Sequence, residues 1–89
     1  MIVPKAKPDE IYPLKPLTWW GLRKADGTRS ATMACPNGHE ATLTDHEIRE
    51  DGTVMLPHIG EVLPSVVCPY EGCTFHDYVQ LEGWEDATR

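Results

Sequence analysis

All three cysteines of this chain lie in two short turn-forming segments, and this placement most constrains the fold. The first segment is Cys35-Pro-Asn-Gly-His39, and the second is Cys68-Pro-Tyr-Glu-Gly-Cys73. Each combines a cysteine and a second metal-binding side chain with the Pro and Gly of a tight turn, which is the pattern of a structural zinc site. Three thiolates supply three of the four ligands that zinc prefers. We therefore predict a zinc site that joins the two segments, with a histidine as the fourth ligand.

Four histidines compete for the fourth position. His39 is the first candidate, because it lies on the turn that Cys35 begins and so completes a two-ligand turn matching the second segment. His76 is the alternative, three residues after Cys73 but on a strand that already leads away. The two histidines further from the turns are His46 and His58.

Two other interpretations compete with a structural metal site. The cysteines could be buried small apolar side chains, but their placement in two turns that contain Pro and Gly disfavours this. A catalytic zinc would keep one position open to water, whereas three cysteines and a histidine close the shell. Because the shell is closed, the sequence predicts a protein that is not an enzyme and has no small-molecule substrate.

The glycines at 38 and 72 permit the positive φ that lets backbone amides donate to the sulfurs.

The length of 89 residues allows one domain with a small core. Such a core rarely supplies more than about 3–5 kcal/mol of stability, whereas zinc ligation in small modules contributes an apparent ~10–16 kcal/mol at neutral pH. We therefore expect folding to depend on the metal. An odd number of cysteines and the lack of a signal-peptide-like apolar run predict synthesis in a reducing, intracellular compartment, and no run is long enough to span a membrane.

The chain divides into three parts by composition. Residues 1–16 contain four prolines separated by charges, which excludes helix and predicts an extended arm that is ordered only where its own body or a partner chain holds it. Residues 17–84 are predicted to form the zinc-binding domain, and residues 85–89 a polar tail. The expected fold class is small and mostly β, with two β-hairpins that each end in a metal-binding turn.

Within the domain, local signals predict several elements. Strands are expected at 17–23 and 28–34 on either side of the hairpin turn Asp26-Gly27, and at 41–43, 65–67 and 75–84. Thr44 and Glu47 have the spacing of a capping box, which predicts one helical turn. Residues 52–57 and 60–64, bounded by prolines, predict edge structure rather than a central strand, either a β-ribbon or an ordinary loop.

The adjacent tryptophans, Trp19 and Trp20, must point to opposite faces of their strand. Either both pack in cores, or one packs in the core while the other lies against the arm or is exposed as an anchor for a partner. In the next strand, Ala31, Met33 and Cys35 share one face, so that the strand directs its cysteine toward the buried side.

The net charge of −6 conceals an asymmetry along the chain. Residues 1–29 carry six Lys or Arg against three carboxylates, a net of +3, whereas residues 30–89 carry two arginines against eleven carboxylates, a net of −9. An acidic body repels phosphate backbones, so any contact with nucleic acid would involve the first part of the chain.

The two turns and their flanking strands resemble the zinc-ribbon group. The run from Pro64-Ser-Val-Val-Cys68 to Leu81-Glu-Gly-Trp84 is also similar to small zinc-ribbon proteins of tailed bacteriophages of actinobacteria. The resemblance covers residues 17–84 and implies a zinc ribbon with Cys35, His39, Cys68 and Cys73 as ligands. The chain departs from the common ribbon pattern in two ways. His39 lies four residues after Cys35, and four residues separate the two cysteines of the second turn, Cys68 and Cys73.

The resemblance permits protein binding, nucleic-acid binding or a purely structural role. Because the body is acidic, the leading expectation is a metal-dependent interaction module that docks by its N-terminal arm onto a larger protein assembly, such as a capsid decoration or minor head protein of a virion. The predicted partner-binding residues are Lys5, Lys7, Tyr12, Lys15, Trp19 and Trp20. The alternative is a phage-encoded regulator that binds nucleic acid or host RNA polymerase through the basic side chains Lys5, Lys7, Lys15, Arg23, Lys24 and Arg29.

Overall fold

The part of the chain that the structure describes forms seven short strands in two sheets, the architecture of a small, mostly-β protein. The computed structural model describes residues 1–50 and 59–84. The strands are β1 (Ile2–Val3), β2 (Trp19–Arg23), β3 (Arg29–Ala34), β4 (Glu40–Thr42), β5 (Glu47–Ile48), β6 (Glu61–Val67) and β7 (His76–Leu81). One sheet has the order β1-β7-β6-β5, and the other has the order β2-β3-β4.

The three-stranded sheet begins with the predicted hairpin. Strands β2 and β3 are antiparallel, with Trp19 opposite Met33 and Arg23 opposite Arg29. In the turn between them, the Asp26 Oδ1 accepts a hydrogen bond from the Thr28 backbone N–H at 2.9 Å. This carboxylate contact is one reason why Asp-Gly pairs favour tight hairpin turns. The sequence prediction of this hairpin is confirmed.

The four-stranded sheet is built on the antiparallel pair β6 and β7, whose register shifts between Val62 and Val66. Strand β5 joins the other side of β6, with Glu47 opposite Leu63 and Ile48 opposite Val62. The prediction of a helical turn at Thr44 to Glu47 is therefore wrong. Ile48 packs against the core from this strand position, and tertiary burial of a β-branched residue outweighs a weak local capping signal.

The proline-rich N-terminal segment is held by its own body rather than extending from it. Strand β1 pairs in parallel with β7, so that Ile2 lies opposite Gln80 and Val3 opposite Leu81. The segment then forms a bridge with Trp19 and a 3-10 helix at Pro8–Glu10. A long-range parallel pairing of two residues leaves no periodic signal in the sequence, so the sequence could not reveal it.

The main core lies between the two sheets. The three-stranded sheet contributes Trp19, Ala31 and Met33, which confirms the predicted buried face of β3. The Trp19 ring lies 5.6 Å from the Trp84 ring, centroid to centroid, and the Trp19 Nε1 donates to the Glu82 carbonyl oxygen at 2.9 Å. The remaining buried members of this cluster are Val3, Leu43, Val62, Val66, Val79 and Leu81.

A second, smaller cluster lies under the N-terminal segment. Ala6 and Leu14 from that segment are buried together with Ala34, and Ile11 and Trp20 pack against them. Trp19 therefore belongs to the main core and Trp20 to the contact with the arm, which is one of the two arrangements open from the sequence. The first half of the predicted ribbon, residues 52–57, lies outside the described residues. The second half belongs to β6, which lies between β7 and β5, so the prediction of edge structure is wrong there. Within the described ranges, no helix has the length and apolar character that a membrane crossing requires.

Gly60 occupies a position that no other residue can fill without strain. Its φ is +86°, and a Cβ added there would meet the backbone oxygen of Leu81 and approach the Trp84 Cβ to 3.1 Å. The same residue donates to the Arg49 carbonyl oxygen at 2.7 Å and accepts from the Leu81 N–H at 2.8 Å, so the backbone has little room to move.

We expect Gly60→Ala to lower the free energy of unfolding by more than the ~1–3 kcal/mol that a left-handed conformation alone costs. Gly27→Ala is the matched control, because Gly27 has nearly the same φ, +87°, but open space around it. Urea unfolding of the metal-loaded proteins measures the difference. Equal losses in the two variants would contradict the steric argument.

Candidate metal centre

Two turns, one from each sheet, carry the candidate ligands. The first turn joins β3 to β4, and the Cys35 N–H donates to the His39 carbonyl oxygen at 3.0 Å across its base. The second joins β6 to β7, and the Cys68 N–H donates to the Phe75 carbonyl oxygen at 3.1 Å. The positive φ predicted for the glycine of each turn is also present, because Gly38 and Gly72 have φ of 84° and 83°.

The turns bring four metal-binding side chains together. Their ligand atoms all lie within 4.8 Å of one another, and the four residues are Cys35, His39, Cys68 and Cys73. The Cys35 Sγ lies 3.8 Å from the Cys73 Sγ and 3.6 Å from the His39 Nδ1. The Cys68 Sγ lies 3.5 Å from the same Nδ1. This set of three thiols and one imidazole could hold a metal ion.

The structure places two of the three competing histidines away from the cluster. The His76 Nε2 lies 2.6 Å from the Ser65 Oγ, and the cluster found among the described residues does not include His76. The His46 Nε2 lies 3.3 Å from the Ser65 carbonyl oxygen. His58 lies outside the described residues. His39, rather than the alternative His76, therefore completes the cluster.

Two neighbours of the cluster were missed from the sequence. The Tyr70 ring stacks on the His39 imidazole with a centroid separation of 4.4 Å and an interplanar angle of 4°. The Asn37 Nδ2 donates to the Cys73 Sγ at 3.5 Å. Both residues lie inside the two turns. The sequence signal that could have identified them is an aromatic ring or an amide donor close to a ligand in the chain. Contacts of this kind orient ligands and stabilise thiolates.

The thiols differ in their ease of deprotonation. A hydrogen bond from the Phe75 backbone N–H, followed by the one from the Asn37 side chain, lowers the pKa of Cys73 to about 6. Burial raises the pKa of the Cys68 thiol, and a hydrogen bond from the Tyr70 backbone N–H opposes that rise. Amide donation to the sulfurs, expected from the turn sequences, is therefore present. A pKa of about 6 favours the thiolate of Cys73 at neutral pH, and the thiolate is the form of cysteine that binds metals.

The surroundings of the cluster are apolar and tightly packed. Cys35 and Cys68 are buried, and a cavity of about 10 Å³ is lined by three of the four ligands, Cys35, His39 and Cys68, and by apolar side chains that include Met33, Val66 and Phe75. A cavity that holds one water needs roughly 10–15 Å³. This cavity is therefore large enough for about one water molecule.

The predicted partner-binding residues occupy two different environments. Tyr12 is 93% exposed, and Lys7 and Lys15 are also at the surface. The Lys5 Nζ lies 5.2 Å from the centroid of the half-buried Trp20 ring. Trp19 is fully buried, so its inclusion in the partner-binding set needs correction: its side chain fills the core and offers no surface.

The basic residues proposed for nucleic-acid contact are partly engaged within the protein. The Arg29 guanidinium donates to the Glu50 Oε1 at 2.8 Å and to the Trp84 carbonyl oxygen at 2.6 Å, and its side chain is only 14% exposed. The Arg23 Nη1 donates to the Gly27 carbonyl oxygen at 2.8 Å. These contacts do not favour a continuous phosphate-binding surface.

No protein-family model, curated protein or solved structure matches this chain.

Proposed function

We propose that Cys35, His39, Cys68 and Cys73 bind a structural zinc ion that cross-links the two sheets, and that the protein is a non-enzymatic interaction module of the zinc-ribbon type. The observation that carries the proposal is the spacing of the ligand atoms. Zn–S bonds of about 2.3 Å at the tetrahedral angle put two sulfurs about 3.8 Å apart, and with a Zn–N bond of about 2.0–2.1 Å put a sulfur and a nitrogen about 3.5 Å apart. Three of the six separations between ligand atoms, 3.8, 3.6 and 3.5 Å, agree with these values, and all six are within 4.8 Å.

The composition of the shell supports a structural role. Four protein ligands complete the tetrahedral coordination of zinc, whereas catalytic zinc sites keep a position for water or substrate. The small cavity beside the ligands is consistent with a closed centre. The ion therefore acts by holding the turn of one sheet against the turn of the other.

The exposed surface supports an interaction role. All three tyrosines of the chain are at least half exposed, at 93% for Tyr12, 50% for Tyr70 and 70% for Tyr78. Ile2 and Val67 are also exposed, at 65% and 55%. Tyrosine is enriched in protein interfaces because its ring provides apolar contact area and its hydroxyl a hydrogen bond. Together with the resemblance to bacteriophage proteins, this surface favours an accessory protein of a virion that docks on a larger assembly.

Substitution of the histidines tests the metal centre. We expect wild-type protein to bind one zinc ion per chain, His76→Ala to bind the same amount, and His39→Ala to bind zinc at least ~10-fold more weakly, because only the second variant loses a ligand. Competition with a chromophoric chelator measures the affinity, and the visible spectrum of the cobalt-loaded protein reports three thiolates and one nitrogen. Loss of zinc in His76→Ala with retention in His39→Ala would contradict the assignment.

A further inference from the structure

Strand β2 has one paired edge and a second edge that residues 1–50 and 59–84 cover only in part. Lys24 donates to the Thr28 carbonyl oxygen at 2.9 Å, and Thr18 accepts from the Ala34 N–H at 3.1 Å, so the even-numbered residues bond to β3. In an antiparallel ladder the alternate residues direct their N–H and C=O groups to the opposite edge. The odd-numbered residues of β2 therefore form the outer edge of the sheet.

The N-terminal segment occupies the first position of this outer edge and then departs. The Trp19 N–H donates to the Pro4 carbonyl oxygen at 3.1 Å, and the Trp19 carbonyl oxygen accepts from the Ala6 N–H at 2.8 Å. After Ala6 the chain turns away into the helix at Pro8–Glu10. The next two outward positions, Gly21 and Arg23, are exposed.

We propose that this open edge, Gly21 to Arg23, binds an extended acidic peptide of a partner protein, which adds to the sheet as a further strand. The proposal rests on the interaction role proposed above and names the surface and the partner's chemistry. Strand addition at a sheet edge is a recurrent mode of peptide recognition, in which main-chain hydrogen bonds provide affinity. The absence of a Cβ at Gly21 allows a second backbone to approach closely.

The charges around the edge determine which peptide fits. Arg23 is exposed on the strand, Lys24 follows it, and Lys5 lies over the Trp20 ring at the other end. Six of the eight basic residues of the chain lie within residues 1–29, although the net charge of the whole chain is −6. Opposite charges on neighbouring strands attract, so carboxylates are favoured on the face that carries Arg23. The other face presents the half-buried Leu22, with Lys24 two residues further on, so a β-branched side chain is favoured opposite Leu22.

A second copy of this chain fits the same edge poorly. Antiparallel pairing of two β2 edges about Leu22 would bring the two Arg23 side chains to diagonal positions, which in a sheet lie roughly 7–8 Å apart. The segment around Ala6 would also block continuation of the second strand past Trp19. Positive charge on an open edge opposes self-pairing, and it leaves the edge available to an acidic strand.

A synthetic hexapeptide that alternates Glu and Val, blocked at both ends, is the probe. Added to zinc-loaded, ¹⁵N-labelled protein, it is expected to slow hydrogen exchange of the Gly21 and Arg23 amides by about tenfold or more, because these N–H groups become part of a ladder. The matched control peptide alternates Lys and Val and is expected to give no protection. Absence of protection by millimolar Glu-Val peptide, protection of other amides only, or equal protection by both peptides would overturn the proposal.

Two variants locate the contact. Gly21→Pro removes an outward N–H but no hydrogen bond to β3, and it should abolish protection at Arg23 while zinc content and melting temperature are retained. Arg23→Glu leaves the backbone unchanged and should transfer the protection to the Lys-Val peptide. This variant tests the charge preference of the edge even if Gly21→Pro does not fold.

Protection that rises with protein concentration in the absence of peptide would identify a second copy as the occupant and overturn the acidic partner. Failure to bind zinc would contradict the proposed function, whereas a folded, zinc-loaded protein that ignores both peptides would contradict only this inference.

Discussion

Removal of the metal ion is expected to unfold this protein at room temperature. The ligands come from turns on two different sheets, so their free thiols and imidazole would otherwise have only the shared core to hold them together. A core in a chain of this size rarely supplies more than about 3–5 kcal/mol, whereas structural zinc contributes an apparent ~10–16 kcal/mol in small modules. The free energy expected from zinc binding therefore exceeds the whole stability expected of the core.

Circular dichroism and ¹H–¹⁵N NMR spectra are recorded while a strong chelator is added to the zinc-loaded protein, and again after an equimolar amount of zinc is restored. We expect loss of the dispersed NMR spectrum on chelation and its recovery with zinc. Cys68→Ser should reproduce the unfolded state without chelator, since it removes a buried ligand. Thr74→Ala, an exposed change between the second turn and β7, is the matched control and should leave the metal-loaded fold unchanged. A cooperative thermal transition in metal-free protein would contradict the prediction.

The metal cluster could be predicted from the sequence because its information is local. Each turn contains its own cysteine, its own second ligand and the glycine that the backbone requires, and the turns need only meet. The choice between His39 and His76 was also local, since one lies on the turn that Cys35 begins and the other on a departing strand. The stacking of Tyr70 on His39 depends on how the two turns approach, so sequence spacing could not provide it.

The course of the N-terminal segment could not be predicted for the opposite reason. Its prolines correctly exclude an α-helix, but nothing in residues 1–16 specifies that Val3 lies beside Leu81. The same limit applies to Thr44 and Glu47, whose capping-box spacing is a weak local preference. The pairing of Ile48 with Val62 decides that segment, and both residues belong to a core that only the folded chain creates.

The N-terminal segment is part of the fold, so its deletion is a poor test of partner binding. Deletion of residues 1–16 would remove the buried Val3, Ala6 and Leu14 together with any docking surface, so loss of binding in such a protein would have two explanations. Point substitutions at exposed positions avoid this ambiguity. The open edge of β2 lies where the segment leaves Trp19, so the segment itself defines where an added strand must end.

Trp19→Ala is expected to cause the largest loss of stability of any single change outside the metal ligands. The ring is fully buried between the sheets, contacts Trp84, and donates a hydrogen bond to the Glu82 carbonyl oxygen. Truncation of a buried tryptophan costs about 3–5 kcal/mol. In a domain of this size that loss would lower the melting temperature by well over about 10 °C.

Trp20→Ala is the matched control, because the adjacent tryptophan is only half-buried and packs in the smaller cluster with Ala6 and Leu14. Its cost should be less than half that of Trp19→Ala, since less apolar surface is lost from the interior. Trp19→Phe should fall between the two, because it keeps an aromatic ring but leaves the Glu82 carbonyl without its indole donor. Chemical unfolding of the zinc-loaded variants measures the order. Equal losses for the two alanine variants would show that the second cluster contributes as much as the main core, and would contradict the division of the two tryptophans between them.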